Sequence, residues 1–473
     1  MCIEECFMAR NTLDNNKMRT MPVGRLLFNM AIPLALSMLV QALYNIVDSI
    51  YVSNIWENDN DVAALSMAFP IQHLIIGFAT GIGVGMNSQL SKSLGENIRK
   101  QVNLAAGNGI FLMLIATVLF MLFGFFGARP FFQLQSSVAD TVNGGADYLS
   151  ICCIFSLGIF VEVLGERMLQ ASGRTIYTLF TQGTGAVLNI LLDPLFIFGF
   201  PVLGIPAFGM AGAAIATVIS QWVAAILAVI FNLTKNPDVQ FGLSYIRPDP
   251  KVLKKILSVG IPSIVMMAIG SVMTFSMNGI FQSFKDYGET ATGVFGVYFK
   301  LQSFVIMPVL GINNASVSIL AYNYGARLPQ RITKNLKCAL GSALTMMFLG
   351  LALFQIAPEL LLGLFDPTED FKAIGISALR IVSVSFPMAG VSIAVSATFQ
   401  ALGVGIYATI TSLCRQLLVL VPVAYMLSLT GDVHLVWWAF AAAELVCMVL
   451  SLLFFRRIYR NKIKPLYSDA CEK

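Results

Sequence analysis

Charged residues are scarce in this chain of 473 amino acids. Lys and Arg together number 30 and Asp and Glu 25, so charged residues make up 12% of the sequence, against about 25% in ordinary soluble domains. Apolar residue types account for 57%, and the mean hydropathy is +0.77. This composition cannot cover the surface of a soluble protein of this length, which excludes an ordinary soluble enzyme. It predicts a membrane protein with about 12 spanning helices of about 20 residues each.

The sequence also lacks the residues and spacings of common metal and cofactor sites. His73 and His434 are its two histidines, and its eight cysteines form no CxxC pair, which disfavours a histidine-rich metal site or a haem. An HExxH motif and paired acids at the borders of the apolar runs are lacking, which disfavours a membrane-embedded enzyme. We predict that the protein is not an enzyme, needs no cofactor and binds no nucleic acid. Residues 1–22 are polar and basic, unlike a cleavable signal peptide.

Twelve apolar runs predict an all-α membrane protein with twelve transmembrane helices. They lie at about 25–53, 62–91, 103–127, 144–166, 176–199, 209–232, 256–284, 291–320, 335–357, 371–401, 405–428 and 434–455. If the N-terminus lies inside, 24 of the 30 basic residues fall in cytoplasmic segments and three in external ones. Because basic residues concentrate on the cytoplasmic side of membrane proteins, we expect both termini to be cytoplasmic.

The two halves of the chain resemble one another. Ile32-Pro33 recurs as Ile261-Pro262, Gly81 and Gly95 recur as Gly311 and Gly325, and Gln170-Ala171-x-Gly173 recurs as Gln400-Ala401-x-Gly403, at offsets of 229 and 230. Such repeats are related by an axis along the membrane normal. We predict a cytoplasmic tail (1–22), an N-lobe (23–232), a cytoplasmic linker (233–255), a C-lobe (256–457) and a basic cytoplasmic tail (458–473). The two pseudo-symmetric six-helix lobes would surround a central cleft.

Seven charged residues lie well within the predicted spans, away from their ends. They are Asp48, Glu162 and Asp193 in the first half, and Lys300, Arg380, Arg415 and Glu444 in the second. Because charge inside a membrane is costly, each is a candidate functional residue. We expect Glu162 to find a partner or water near the cytoplasmic end of its span. Glu444 is expected to neutralise Arg380 and Arg415, and Lys300 to extend its amine toward the membrane surface. These five are secondary candidates.

Four polar residues of the first half share one depth in the outer leaflet, counted from the ends of their spans. They are Asp48 on the first span, Asn189 and Asp193 on the fifth, and Thr217 on the sixth, with Gln41 and Tyr44 on the same helix face as Asp48. A buried carboxyl group at this depth can take up a proton, or can bind Na⁺ together with neighbouring oxygens. Pro194 removes a backbone hydrogen bond beside Asp193. The pattern predicts an ion-binding site.

Three stretches resemble the multidrug and toxic compound extrusion (MATE) family, in particular its DinF-like, MepA-like branch. They are AIPLALSMLVQALYNIVDSIYVSN (31–54), VLNILLDPLFIFG (187–199) and GMAGAAIAT (209–217). The resemblance implies an antiporter of the bacterial plasma membrane, monomeric in the bilayer, which exports amphipathic and often cationic drugs in exchange for H⁺ or Na⁺ and contributes to antibiotic resistance. It also implies that Asp48, Asn189, Asp193 and Thr217 form the ion site, with Gln41 and Tyr44 in its network and Pro33 at a bend of the first helix.

An alternative function within the same architecture stays open. Other branches of the family have acids in spans seven and ten, whereas this chain offers Ser271, Asn278 and Arg380 there. Coupling is therefore expected in the N-lobe alone. A flippase for lipid-linked oligosaccharides would need a basic cavity for a diphosphate, and the excess of bases in the second half suits it. The acids of the N-lobe argue against it.

Overall fold

The structure, a computed structural model, describes residues 17–55, 59–200, 204, 206–240, 242–285, 287–365 and 368–471. Its regular elements are helices, which confirms the predicted all-α fold. The side chains of residues 44–55 and 59–63 are among those outside the described set. For two predicted site residues, Tyr44 and Asp48, the structure therefore describes only the position along the helix.

The described part of the first half forms long helices joined by short turns. They are α1 (Val23–Ile55), α2 (Asp59–Gly95), α3 (Arg99–Phe126), α4 (Ala139–Ile154), α5 (Leu157–Ala171), α6 (Thr175–Ile197) and α7 (Gly209–Lys235). Shorter helical segments lie at Lys17–Thr20, Ala128–Gln133 and Leu243–Tyr245.

The second half repeats this series of helices. It contains α8 (Pro250–Gln282), α9 (Gly288–Gly325), α10 (Pro329–Ile356), α11 (Glu369–Ser383), α12 (Phe386–Ala401), α13 (Ile406–Leu413), α14 (Leu420–Ser428) and α15 (Trp438–Ile458). Short helices lie at Pro358–Gly363, Val433–Val436 and Lys464–Cys471, and π-helical turns at Cys414–Val419 and Tyr459–Ile463. Proline in the first turn starts α10, because the first N–H groups of a helix have no internal acceptor.

Most predicted spans are long, apolar helices. Within the described ranges, nine stretches are long and apolar enough to cross a membrane, and the bent pairs α4–α5 and α11–α12 bring the number to eleven. The bends are 44° and 47°, so spans four and ten, predicted as single runs, are broken helices. The twelfth predicted span is α6. Its Gln, Asn, Asp and Thr residues lower its hydropathy, which explains why it does not pass the same test.

The internal repeat is present in the backbone. Asn97 and Arg327, which are 230 positions apart, both have positive φ angles, 61° and 54°. Gly173 and Gly403, also 230 apart, have φ angles of 77° and 71°. A non-glycine residue rarely adopts positive φ, so its recurrence at equivalent positions indicates that the two halves turn in the same way after equivalent helices.

Packing divides the chain into two units that exchange short segments. One unit contains Leu39–Ile264, and the other contains the described chain before Leu39 together with the residues after Ile264. The first turns of α1 therefore pack with the second half of the sequence, and the first turns of α8 pack with the first half. The lobe boundaries expected from the sequence remain a prediction.

Glycines allow the exchanged helix ends to approach their neighbours closely. A Cβ atom on Gly85 of α2 would lie 2.2 Å from the carbonyl oxygen of Ile256 on α8. In the second unit, a Cβ on Gly311 of α9 would lie 2.6 Å from the backbone nitrogen of Ala35 on α1. Backbones this close require glycine, as in many membrane helix pairs.

The core of the second unit is rich in aromatic rings. Trp437 is fully buried, and its ring centroid lies 4.5 Å from that of Phe281 and 6.1 Å from that of Phe440. Phe295 and Tyr298 of α9 pack against the same rings. This cluster joins α8, α9 and α15 within the unit.

The predicted linker between the halves is packed against the first unit. α7 extends to Lys235 and α8 begins at Pro250, which leaves a shorter connection than expected. The N–H of Gln240 donates to Asn103 Oδ1 at 3.0 Å, and the N–H of Asp249 donates to Asn108 Oδ1 at 2.8 Å. Because both asparagines belong to α3, the connection is fixed to that helix.

Candidate ion-coupling site

Asn189 and Asp193 lie near the end of α6 with their side chains in contact. Asn189 Nδ2 donates a hydrogen bond to Asp193 Oδ1 at 2.9 Å, and the two residues are 4% and 2% exposed. Their i, i+4 spacing on one helix face brings them together. Because burying a charge is costly, a bound proton or a bound cation would stabilise a carboxyl group in this position.

Thr217 lies on α7 at the level of this pair. α7 packs antiparallel against α6: a Cβ on Gly212 would lie 2.3 Å from the carbonyl oxygen of Phe196, and a Cβ on Gly185 would lie 3.3 Å from Ala224 Cβ. Thr217 is five residues further along α7, which places it opposite the turn between Asn189 and Asp193. Its side chain is half-buried. This register agrees with the shared depth predicted from the sequence.

The other members of the predicted site lie on α1. The helix is continuous through positions 41, 44 and 48, as the predicted common face requires. Gln41 has an exposed side chain in its unit. The side chains of Tyr44 and Asp48 fall outside the described residues, so their part in the site stays a prediction.

Both prolines predicted to mark helix bends lie inside continuous helices. The carbonyl of Pro33 accepts a hydrogen bond from Ser37 Oγ at 2.9 Å, and α1 is helical on both sides of it. Pro194 has no N–H, so it cannot donate to the carbonyl of Ile190 four residues earlier. That carbonyl lies within the turn from Asn189 to Asp193 and lacks the usual donor four residues later.

Glu162 belongs to a second group of buried polar residues, on α5 and the start of α6. Glu166 is 3% exposed, and its carboxylate accepts hydrogen bonds from Thr181 Oγ1 at 2.6 Å and from Gln182 Nε2 at 2.9 Å. Glu162 lies one helical turn before it and is partly buried. Arg167 is 7% exposed and donates to Gln170 Oε1 at 3.0 Å.

Sequence reasoning missed most of this second group. The fourth span was predicted to end at residue 166, so Arg167 was counted among the bases of a cytoplasmic loop. It lies inside α5, which extends to Ala171. The apolar Met168 and Leu169 after Arg167 were the available signal that the helix continues, and a longer span would have placed Glu166 away from its end.

The second unit contains one ion pair among its predicted intramembrane charges. Arg415 Nη1 lies 3.5 Å from Glu444 Oε1, as expected. Arg380 does not share in this neutralisation, because its side chain is exposed in the unit, while its carbonyl accepts a hydrogen bond from Gln355 Nε2 at 2.7 Å. Lys300 is exposed as well.

Comparisons with known proteins agree with this arrangement. The MatE family model matches residues 33–195 and 262–426. The multidrug export protein MepA of Staphylococcus saprophyticus is 24% identical over 431 residues, covering 90% of this chain and 92% of that protein.

Solved structures match over almost the whole chain. An outward-facing multidrug resistance MATE family transporter of the MOP superfamily has a TM-score of 0.88 at 26% identity, covering 96% of this chain and 98% of that one. A MOP superfamily transporter from Pyrococcus furiosus, whose binding pocket is described as having reverse polarity that suggests a different function, has a TM-score of 0.86 at 26% identity, covering 95% and 98%. Because the family model covers more than half of the chain and both of its repeats, the protein belongs to the MatE family of multidrug and toxic compound extrusion transporters.

Proposed function

We propose that the protein is a secondary active antiporter that exports amphipathic, often cationic compounds in exchange for an ion bound at Asp193. The observation that supports this most directly is the buried Asn189–Asp193 pair on α6. The name of the similar export protein, a multidrug exporter, supports the class of substrate. The bacterial source of that relative supports a plasma-membrane location.

The chemistry follows from competition for one carboxyl group. In the outward-open carrier, Asp193 binds the ion, which removes its attraction for a bound cationic drug and favours drug release. After the carrier turns inward the ion dissociates, and the carboxylate attracts the next drug molecule. Coupling requires only that the ion and the drug each bind the outward-open and the inward-open states of the carrier with different affinities. The proposed ion site further includes Asp48, Thr217 and Tyr44, with the lobes 23–232 and 256–457 as the moving bodies.

Replacing Asp193 by Asn tests the proposal. Inside-out vesicles from cells expressing the variant should accumulate the cationic dye ethidium, driven by a proton or Na⁺ gradient, at a rate at least about tenfold below that of the unmodified protein. Asp140→Asn is the matched control, since Asp140 is exposed in the first turn of α4, and it should transport normally. Undiminished gradient-driven transport by Asp193→Asn would contradict the assignment.

A flippase for lipid-linked oligosaccharides is the second candidate. The observation that favours it is the pair of exposed bases within the spans of the second unit, Lys300 and Arg380. Neither forms an ion pair with another residue in the described ranges. If this function holds, replacing both bases by Gln should abolish translocation of a fluorescent lipid-linked diphosphate sugar in liposomes and leave ethidium transport unchanged.

A further inference from the structure

Two neighbouring carboxyl groups, the partly buried Glu162 and the buried Glu166, lie in the same unit as Asp193, and the antiport cycle above does not use them. The two residues are one turn apart on α5 and act on each other electrostatically. Both oxygens of Glu166 are hydrogen-bonded, to Thr181 and to Gln182. The surrounding side chains are therefore arranged to bind the Glu166 carboxylate.

The charges in this group do not balance. Among the residues whose side chains are described, two carboxyl groups have one buried base beside them, Arg167. The aliphatic part of Arg167 packs on Gly83, where a Cβ would lie 2.8 Å from Arg167 Cγ. Four helices, α2, α3, α6 and α7, pack against α5. Apart from Asp193 near the end of α6, the other charged residues of these four helices lie in the first or last turn of their helix. They are Asp59, Asp61, Lys92, Arg99, Lys100 and Lys235. One excess negative charge in a buried site is costly, and one proton shared by the two carboxyl groups removes it.

Unused hydrogen-bonding atoms adjoin the pair. Gln182 Oε1 and Thr178 Oγ1 are buried and have no partner within the part of the chain that the structure describes, and Thr178 is fully buried. Each of these atoms can accept a hydrogen bond from a water molecule. The surroundings therefore suit a carboxyl group that alternates between its charged and its protonated form.

One face of α6 connects this pair with the ion site. Asn189 and Asp193 lie seven and eleven residues after Gln182, which is about two and three helical turns. Glu162 Oε1 lies 4.0 Å from where a Cβ on Gly185 would be, one turn beyond Gln182 toward Asn189. At 1.5 Å per residue, the level of Glu162 differs from that of Asn189 by about 6 Å and from that of Asp193 by about 12 Å, so a proton would cross between the two carboxyl groups through intervening water.

We propose that Glu162 and Glu166 accept the proton released by Asp193 and pass it to the cytoplasm, and that the coupling ion is H⁺. The proton leaves the Asp193 carboxyl group, which becomes a carboxylate. In the pair, Glu162 holds the shared proton at rest; that proton transfers to Glu166 and leaves to cytoplasmic water, and the proton from Asp193 then joins the carboxylate oxygen vacated on Glu162. Thr181 and Gln182 hold the Glu166 carboxylate between transfers. This inference rests on the proposed antiport function.

The test compares two modes of transport by the purified full-length protein in liposomes, with ethidium as the probe. One assay drives ethidium uphill with an imposed pH gradient, and the other follows its exchange at equal pH, which needs no net proton movement. Glu162→Gln and Glu166→Gln should each lower gradient-driven transport at least about tenfold and leave exchange largely intact. Glu96→Gln is the control, because Glu96 lies outside the group and pairs with Lys92 at 3.7 Å. It should behave as the unmodified protein in both assays.

The outcomes separate this inference from the proposed function. If Asp193→Asn loses gradient-driven transport while both Glu variants keep it, the exit path is wrong and the antiport function stands. If the Glu variants lose both gradient-driven transport and exchange, the two residues have a structural role and the proposed proton exit path is wrong. Transport driven by Na⁺ and not by a pH gradient would also overturn it. Glu162→Gln leaves the hydrogen bonds of Glu166 unchanged, so it remains informative if Glu166→Gln does not fold.

Discussion

At the residue scale, the ion pair of Arg415 and Glu444 stands out because it is only loosely satisfied. The contact is 3.5 Å long, and the side chains are 26% and 14% exposed. Glu444 Oε2 has no hydrogen-bond partner among the residues with described positions. Removing one partner of such a pair leaves a largely buried charge without compensation, which is more harmful than removing both.

Glu444→Leu alone should therefore destabilise the purified protein by about 3 kcal/mol, and adding Arg415→Met should restore most of that loss. The measurement is denaturant unfolding in detergent. Glu369→Ala is the control: Glu369 is 90% exposed in its pair with Lys372, so the change should be below about 1 kcal/mol. Equal destabilisation by the single and the double replacement would show that the side-chain volumes matter rather than the charges.

At the element scale, the fold depends on helix crossings at which glycine is required. Gly85 and Gly311 lie at the two crossings that involve the exchanged ends of α8 and α1. A methyl group at Gly85 would meet backbone atoms of Ile256, which cannot move aside as a side chain can. The helices would have to separate, and the surrounding packing would be lost.

Gly85→Ala should destabilise the protein by about 3 kcal/mol or prevent its accumulation in the membrane, because over-packing at backbone contacts cannot be relieved locally. Gly341→Ala is the matched control, since a Cβ there meets nothing within 4 Å, and it should stabilise α10 by about 0.5–1 kcal/mol. Thermal unfolding of both purified variants measures the difference. A Gly85→Ala protein as stable as the Gly341→Ala protein would show that the close crossing is not required.

Element positions could largely be predicted from the sequence, but their internal breaks could not. Apolar runs give the length and location of a span because every span must match the membrane thickness. The bends between α4 and α5, and between α11 and α12, follow from packing that a hydropathy pattern does not record. The i, i+4 spacing brought Asn189 and Asp193 together correctly, because helix geometry alone determines that contact. Glu166 and Thr181 meet across two helices, so no local spacing could reveal their hydrogen bond.

At the scale of the whole molecule, duplication explains most of the architecture. The equivalent positive φ angles, the two bent helix pairs and the two family matches all follow an offset close to 230 residues. The chemistry has diverged between the halves. The first contains the buried acids, whereas the second contains the Arg415–Glu444 pair and exposed bases. The proposed ion site therefore belongs to one half of a duplicated sequence.

The distribution of basic residues predicts the orientation of the protein in the membrane. A cysteine placed at Gln135, in a predicted external segment, should react with a membrane-impermeant maleimide in intact cells. One placed at Arg247, in a predicted cytoplasmic segment, should react only after the cells are opened. Both positions are exposed, and labelling is counted above that of the unmodified chain. The reverse pattern would place the termini outside and would invert the proposed direction of transport.

The central claim, that ion movement at Asp193 drives drug movement in the opposite direction, is tested most directly by measuring both fluxes together. Liposomes containing the purified protein are loaded with ethidium, and the ion is followed inside them with a pH-sensitive dye and with radioactive sodium. We expect outward ethidium flux to drive an inward proton flux, and Asp193→Asn to abolish the proton flux. Ethidium flux without any ion flux, or an unchanged proton flux in Asp193→Asn, would contradict it.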